Sequence, residues 1–186
     1  MNINAAPEMI SPFDHLLSDE RKNHSKYREL STQARSAAPT KFPYRDAAFY
    51  ETGQRCFVLD SDIERVTYFM QWTERTVFGF KAAYQIMLWR DPFVRELAGF
   101  TEQVFFDVLF KKHDLVVTDR HQSPDGKRFW IRMIDRAWRD GLAVYAIDLN
   151  VGSKTRIHNR SELAALEPSM WLDYEAGQAC LFCIAN

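Results

Sequence analysis

The sequence predicts an α/β fold, an α+β mixed sheet with helices on both faces, and three observations carry that expectation. Two stretches of period-two alternation follow one another at residues 66–72 and 78–88, as the strands of an antiparallel hairpin do. After Pro92 the apolar period lengthens to about 3.6 residues, the helical value. From Leu115 onward an apolar β-branched run, an amphipathic stretch and a second apolar run follow in the order of a β-α-β crossover.

In chain order, residues 1–45 form a basic N-terminal arm. Pro7, Pro12, Pro39 and Pro43 bracket a polar stretch, Ser11 to Arg35, long enough for one or two short helices. Seven Lys or Arg lie between Arg21 and Arg45 against one acid, Glu29. Such an arm clasps the domain, binds an acidic partner or frays in solvent, and its residues do not choose among these. The domain proper spans 46–186. Cys56-Phe57-Val58-Leu59 reads as a short strand, and Val66, Tyr68, Met70 and Trp72 share one face of the next. After the polar link Thr73-Glu74-Arg75-Thr76, Phe78, Phe80, Ala82, Tyr84, Ile86 and Leu88 share a face opposite Lys81, Gln85 and Trp89. Arg90-Asp91-Pro92 ends this strand, because proline cannot donate to a ladder. Core packing accounts for the alternating aromatics, while Trp72 and Trp89, near strand ends, are expected to stay partly exposed.

Phe100, Val104, Phe105, Val108 and Leu109 recur at helical spacing around Thr101, an N-cap or first-turn residue. Leu115 to Asp119 reads as a buried strand that leads into Ser123-Pro124-Asp125-Gly126. There serine caps, proline suits the first helical position and aspartate complements the dipole. The helix runs from Pro124 to Asp140, stops at Gly141 and buries Trp130, Met133, Ile134 and Ala137. Its other side carries Arg128, Arg132, Arg136 and Arg139, a solvated face or a receiver of anions that Asp125, Asp135 and Asp140 partly neutralise. Leu142 to Leu149 is then a strand parallel to Leu115–Asp119. A short helix at Ser161 to Leu166 and a non-alternating run, Ala179 to Ile184, buried on both faces, complete the chain.

The 186 residues are 46% hydrophobic, 26% charged and 14% aromatic, enough for one folded domain with a sizeable core. Lys and Arg number 24 against 25 Asp and Glu, a net charge of -1 that argues against a generally cationic nucleic-acid binder. No apolar run reaches the roughly 18 residues of a membrane span. Met1-Asn2-Ile3-Asn4 lacks the basic region and apolar core of a secretory signal, so a cytoplasmic location is expected. Cys180 and Cys183 have C-x-x-C spacing, but strand positions three apart face opposite sides. Cys56, His113, His121 and His158 supply no second ligand pair, so no metal is expected.

Over residues 46–186 this order of elements resembles the GNAT superfamily of acyl-CoA N-acyltransferases. In that family two central strands splay, pantetheine enters the gap, and the pyrophosphate rests on amides at the start of the intervening helix, where free N–H groups and the dipole favour phosphate. The resemblance implies acetyl-CoA or another acyl-CoA as the bound cofactor. It places the gap between the strand ending near Trp89 and the strand Leu115–Asp119, with cofactor contacts from Leu88, Trp89, Arg95, Ala98, Gly99 and Thr101. The family motif, Arg or Gln, two residues, Gly, one residue, Gly or Ala, is represented by Arg95-Glu96-Leu97-Ala98-Gly99-Phe100. Alanine replaces the first glycine, and phenylalanine the last small residue. The family's tyrosine general acid on the second helix has no counterpart in Pro124–Asp140, and Tyr84 and Tyr145 stand nearest by element. The segment Val116–Arg120 with Gln122–Trp130 is also similar to uncharacterised GNAT-like proteins of phages and other mobile elements.

Asp119, His121 and Ser123 follow a buried strand and precede a helix, where open α/β sheets place ligands. His121, as neutral imidazole, would take the proton of an acceptor amine. Asp119 and Tyr145 complete the candidate catalytic set. Local turn chemistry accounts for the same residues, with Ser123 capping, Asp119 closing a turn and His121 solvated. Two functions follow: an N-acyltransferase acting on a small-molecule or protein amine, and a non-catalytic GNAT-fold protein of a mobile element that binds or inhibits a partner protein. Membrane and nucleic acid are not expected partners.

Overall fold

A computed structural model describes residues 17–37, 39, 48–117, 124–148, 151–171 and 180–185, which fall into two compact units. The first unit holds the described residues up to Thr73 together with Gln85–Gln103. It is built from helix α1 (Glu20–Ala34), strands β1 (Ala48–Thr52) and β2 (Arg55–Asp60), and parts of β3 (Arg65–Val77) and β4 (Phe80–Arg90). The strand order is β1-β2-β3-β4, with β1–β2 and β2–β3 antiparallel. Register sorts the side chains into two layers. The row Phe49–Val58–Tyr68 meets the Phe100 ring, whereas the row Tyr50–Phe57–Phe69 belongs with Leu17, Leu30 and Trp89 in the cluster that α1 covers. Asp19 caps α1 by accepting the Lys22 N–H at 3.1 Å. Buried Asn23 fixes the helix to the sheet, since its Nδ2 donates to the Leu17 and Val66 carbonyls at 3.0 Å each and its Oδ1 accepts the Val66 N–H at 2.8 Å.

The second unit holds Glu74–Tyr84 and the chain from Val104. Its sheet runs β3-β4-β5-β8-β6-β7, with β5 (Leu115–Val117), β6 (Ala143–Asp148), β7 (Ser153–Ile157) and β8 (Cys180–Ala185). β4 and β5 pair in parallel at Ala82–Leu115, Ala83–Val116 and Tyr84–Val117. β8 is antiparallel to both β5 and β6, so those two strands run parallel with β8 between them. The helices are α2 (Phe100–Val104), which begins in the first unit, a π-helical turn (Phe105–Leu109), α3 (Phe110–Lys112), α4 (Pro124–Arg139) and α5 (Arg160–Trp171). Phe105 on the π-turn packs against Phe129 and Trp130 of α4, at 5.5 and 5.2 Å between ring centroids. The apolar face expected on α4 is the buried one: Trp130, Met133, Ile134 and Ala137 are all closed to solvent. β8 is buried from Leu181 to Ile184 without alternation, as expected for a strand with neighbours on both edges and packing on both faces.

Several local expectations are corrected. Thr73–Thr76 is not a link but the second half of β3, and the hairpin turns at Phe78-Gly79, where φ is +49° and +82°. Both central residues of a two-residue turn at positive φ make the tight reversal that matches strand twist. Phe78 is therefore a 44% exposed turn residue, not a member of the β4 face. Trp72 and Trp89 are buried at 1% and 6% exposure, because β3 is packed on both faces and Trp89 sits in the cluster under α1. Strands β1 and β7 had no alternation that marked them, and α5 runs on through Pro168 to Trp171, past the expected end at Leu166.

Candidate functional site

The residues expected to meet acyl-CoA lie in the first unit, where β4 ends. Leu88 is half-buried, and Trp89 is committed to the core. The chain leaves β4 through a tied turn: the Asp91 N–H donates to the Thr67 carbonyl at 2.9 Å, Asp91 Oδ1 accepts the Phe93 N–H at 2.9 Å, and Arg65 lies 3.6 Å from the Asp91 carboxylate. A 3-10 turn, Arg95–Leu97, follows, and the Arg90 guanidinium holds it by donating to the Leu97 carbonyl at 3.3 Å. Within it the Ala98 N–H donates to the Arg95 carbonyl at 2.9 Å, so that amide is already engaged. Arg95, Ala98 and Gly99 are exposed, and Gly99 takes φ +81° with open space where a Cβ would stand. Phe100 turns its ring inward, edge-on to Tyr68 at 4.8 Å and to Phe49 at 5.8 Å. Thr101 is a buried first-turn residue, hydrogen-bonded to the Tyr68 phenol, whose pKa burial pushes well above the usual range.

Of the expected catalytic residues, Asp119 and His121 lie outside the described residues, as does the capping Ser123. Tyr145 lies on β6 in the second unit, opposite Cys183 of β8 and Arg156 of β7. The Lys154 ammonium stands 4.6 Å from the Tyr145 ring and 4.7 Å from the Phe80 ring, a cation held between two aromatic faces. Arg75 lies over Tyr84 at 5.6 Å. Burial pushes the Cys183 thiol up to about 12, a shift that Lys154 and the Tyr145 backbone only partly offset. At neutral pH it is a packed apolar group, not a nucleophile.

One polar group in the second unit was not anticipated. His113, immediately after α3, is enclosed; its Nδ1 faces the Leu109 carbonyl at 3.0 Å and its Nε2 faces Glu74 Oε1 at 2.9 Å. Both the Leu109 carbonyl and the Glu74 carboxylate are acceptors, so the ring stands between two oxygens. The hydrogen bond from His113 is the chief cause that holds the Glu74 carboxyl below the usual carboxylate range, and Lys81 adds to it from 3.5 Å. Sequence carries only a faint signal of this: a basic residue at a helix C-terminus. On α4, Arg128, Arg132 and Arg139 are exposed, while Arg136 lies 3.9 Å over the Phe106 ring and 3.3 Å from Asp140.

Among the described residues, no group of three or more His, Cys, Asp or Glu side chains is placed to hold a metal ion, and no helix is long and apolar enough to cross a membrane. No protein-family model, curated protein or solved structure matches the chain.

Proposed function

We propose that the chain is a GNAT-like N-acyltransferase that takes its acyl group from acyl-CoA. The observation that carries this reading is the parallel β4–β5 pair in an otherwise antiparallel sheet, joined through a helix that starts just after Gly99. Acyl-CoA is substrate here, and the residues at the end of β4 suit an anionic one in part. Exposed Arg95 and unobstructed Gly99 favour phosphate. Ala98 contributes no free N–H.

In this reading the β4 backbone near Leu88 and Trp89 receives the thioester carbonyl. His121 removes a proton from the acceptor amine, the amine nitrogen bonds to the acyl carbon, and the carbon–sulfur bond breaks. Asp119 and Tyr145 are the further candidates for the proton transfers, one of which must reprotonate the departing thiolate. Most of the rate comes from alignment of amine and thioester. Calorimetry with acetyl-CoA tests the proposal. Binding heat and a rise in melting temperature are expected, both weakened at least about tenfold by Arg95→Ala. Absence of both at about 1 mM acetyl-CoA removes the transferase reading.

The engaged Ala98 amide and the buried Phe100 ring, where the family carries a small residue, favour a second reading, that of a non-catalytic scaffold contacting a partner protein. That reading requires a stable partner on affinity purification and no turnover with any acyl-CoA.

A further inference from the structure

Away from all of these residues, a cavity of about 660 Å³ opens in the first unit against α1, β1 and the turn after β2. That volume is typical of small-molecule sites. α1 lines it with Tyr27, Ser31 and Arg35, β1 with Tyr50, and β2 and its turn with Asp60 and Asp62. Tyr27 and Tyr50 rest against the apolar cluster under α1, and Tyr50 stacks on Phe57 at 5.5 Å, so these aromatic walls are braced from behind. Asp60 Oδ1 accepts the N–H groups of Asp62 and Ile63 at 3.0 and 3.3 Å, which fixes the direction of its carboxylate. Arg35 and Asp62 both line the cavity, and neither makes an ion pair among the described residues.

The lining thus offers Arg35 and Asp62, which make no ion pair among the described residues, the fixed Asp60 carboxylate, and two braced rings. We infer that the cavity binds a small zwitterion with an apolar ring, an aromatic amino acid or a close analogue. Its ammonium meets Asp60 and Asp62, its carboxylate meets Arg35, and its ring lies against Tyr27 and Tyr50. A simple anion would leave the two aspartates opposed, and a simple cation would leave Arg35 unused. The inference does not rest on the acyltransferase reading.

Calorimetry on the full chain with L-phenylalanine, 2-phenylethylamine and 3-phenylpropionate tests it. L-phenylalanine is expected to bind at least about tenfold more tightly than either half-compound. Arg35→Ala should erase its advantage over the amine, and Asp62→Asn its advantage over the acid; both positions are exposed, and circular dichroism verifies that each variant is folded. No heat from L-phenylalanine at about 10 mM, equal binding of a half-compound, or variants that affect all three probes alike would overturn the proposal.

Discussion

Asn23 does with one side chain what a neighbouring strand does with its backbone, accepting from the Val66 N–H and donating to the Val66 carbonyl. Asn23→Ala leaves buried groups of β3 unpaired, and we expect a loss of about 3 kcal/mol in chemical denaturation. Asn23→Asp turns an acceptor-only carboxylate toward the Leu17 and Val66 carbonyls in a buried site, so it should cost at least as much. The Glu74–His113 pair gives a pH prediction. Because the folded carboxyl titrates below its unfolded value, the pair contributes stability above the ordinary carboxylate range, and that contribution is lost as pH falls through the lowered value. Glu74→Gln should therefore flatten the acid limb of a stability–pH curve, read by urea midpoints from pH 3 to 6. Little of this was legible. Asn23 reads as a polar residue on a polar helix, and the partner of His113 lies 39 positions away, a separation that only the fold closes. The buried thiol of Cys183, by contrast, followed from its apolar neighbours in sequence.

At the scale of elements, period carried most of the information. The long alternation marks β4, the lengthened period marks α2, and the proline, dipole and glycine signals bound α4 within a residue. The hairpin turn was misplaced because a polar run looked like a link, whereas the deciding property is backbone sign at Phe78 and Gly79. Phe78 holds a left-handed conformation that costs a side-chain-bearing residue about 1 kcal/mol or more. Phe78→Asn should therefore stabilise the protein by about 1 kcal/mol, visible as a raised melting temperature. The π-turn was invisible for a different reason: a five-residue excursion leaves the apolar spacing nearly helical while rotating the following turn. Phe105 is one of three buried side chains on it, with Val108 and Leu109, and packs against Phe129 and Trp130 of α4. Its replacement by alanine should cost about 3–4 kcal/mol in denaturant unfolding.

For the molecule as a whole, the class of fold was readable and the strand order was not. A strand–helix–strand run announces that β5 and β6 are parallel, and nothing local announces that the last strand, β8, enters between them. Such pairing is decided by which apolar strand finds two free edges, a property of the assembled sheet. The candidate site was legible in proportion. Arg95 and Gly99 were picked out by motif spacing and are exposed, while Trp89, chosen as the end of a strand, and Thr101, chosen as the start of a helix, are taken up by packing and by the Tyr68 phenol.

The β3–β4 ribbon gives its tip, Glu74–Tyr84, to one unit and its stem to the other. Neither unit is a contiguous piece of polypeptide, so no single truncation yields a self-sufficient fragment. A product cut at Thr73 lacks the residues that complete its own core, and one that begins at Val104 starts without two strands of its sheet. During synthesis the ribbon's tip must wait, edge exposed, until β5 emerges from the ribosome. Dissection by expression of halves should return insoluble material, whereas the two halves made together should recover one another.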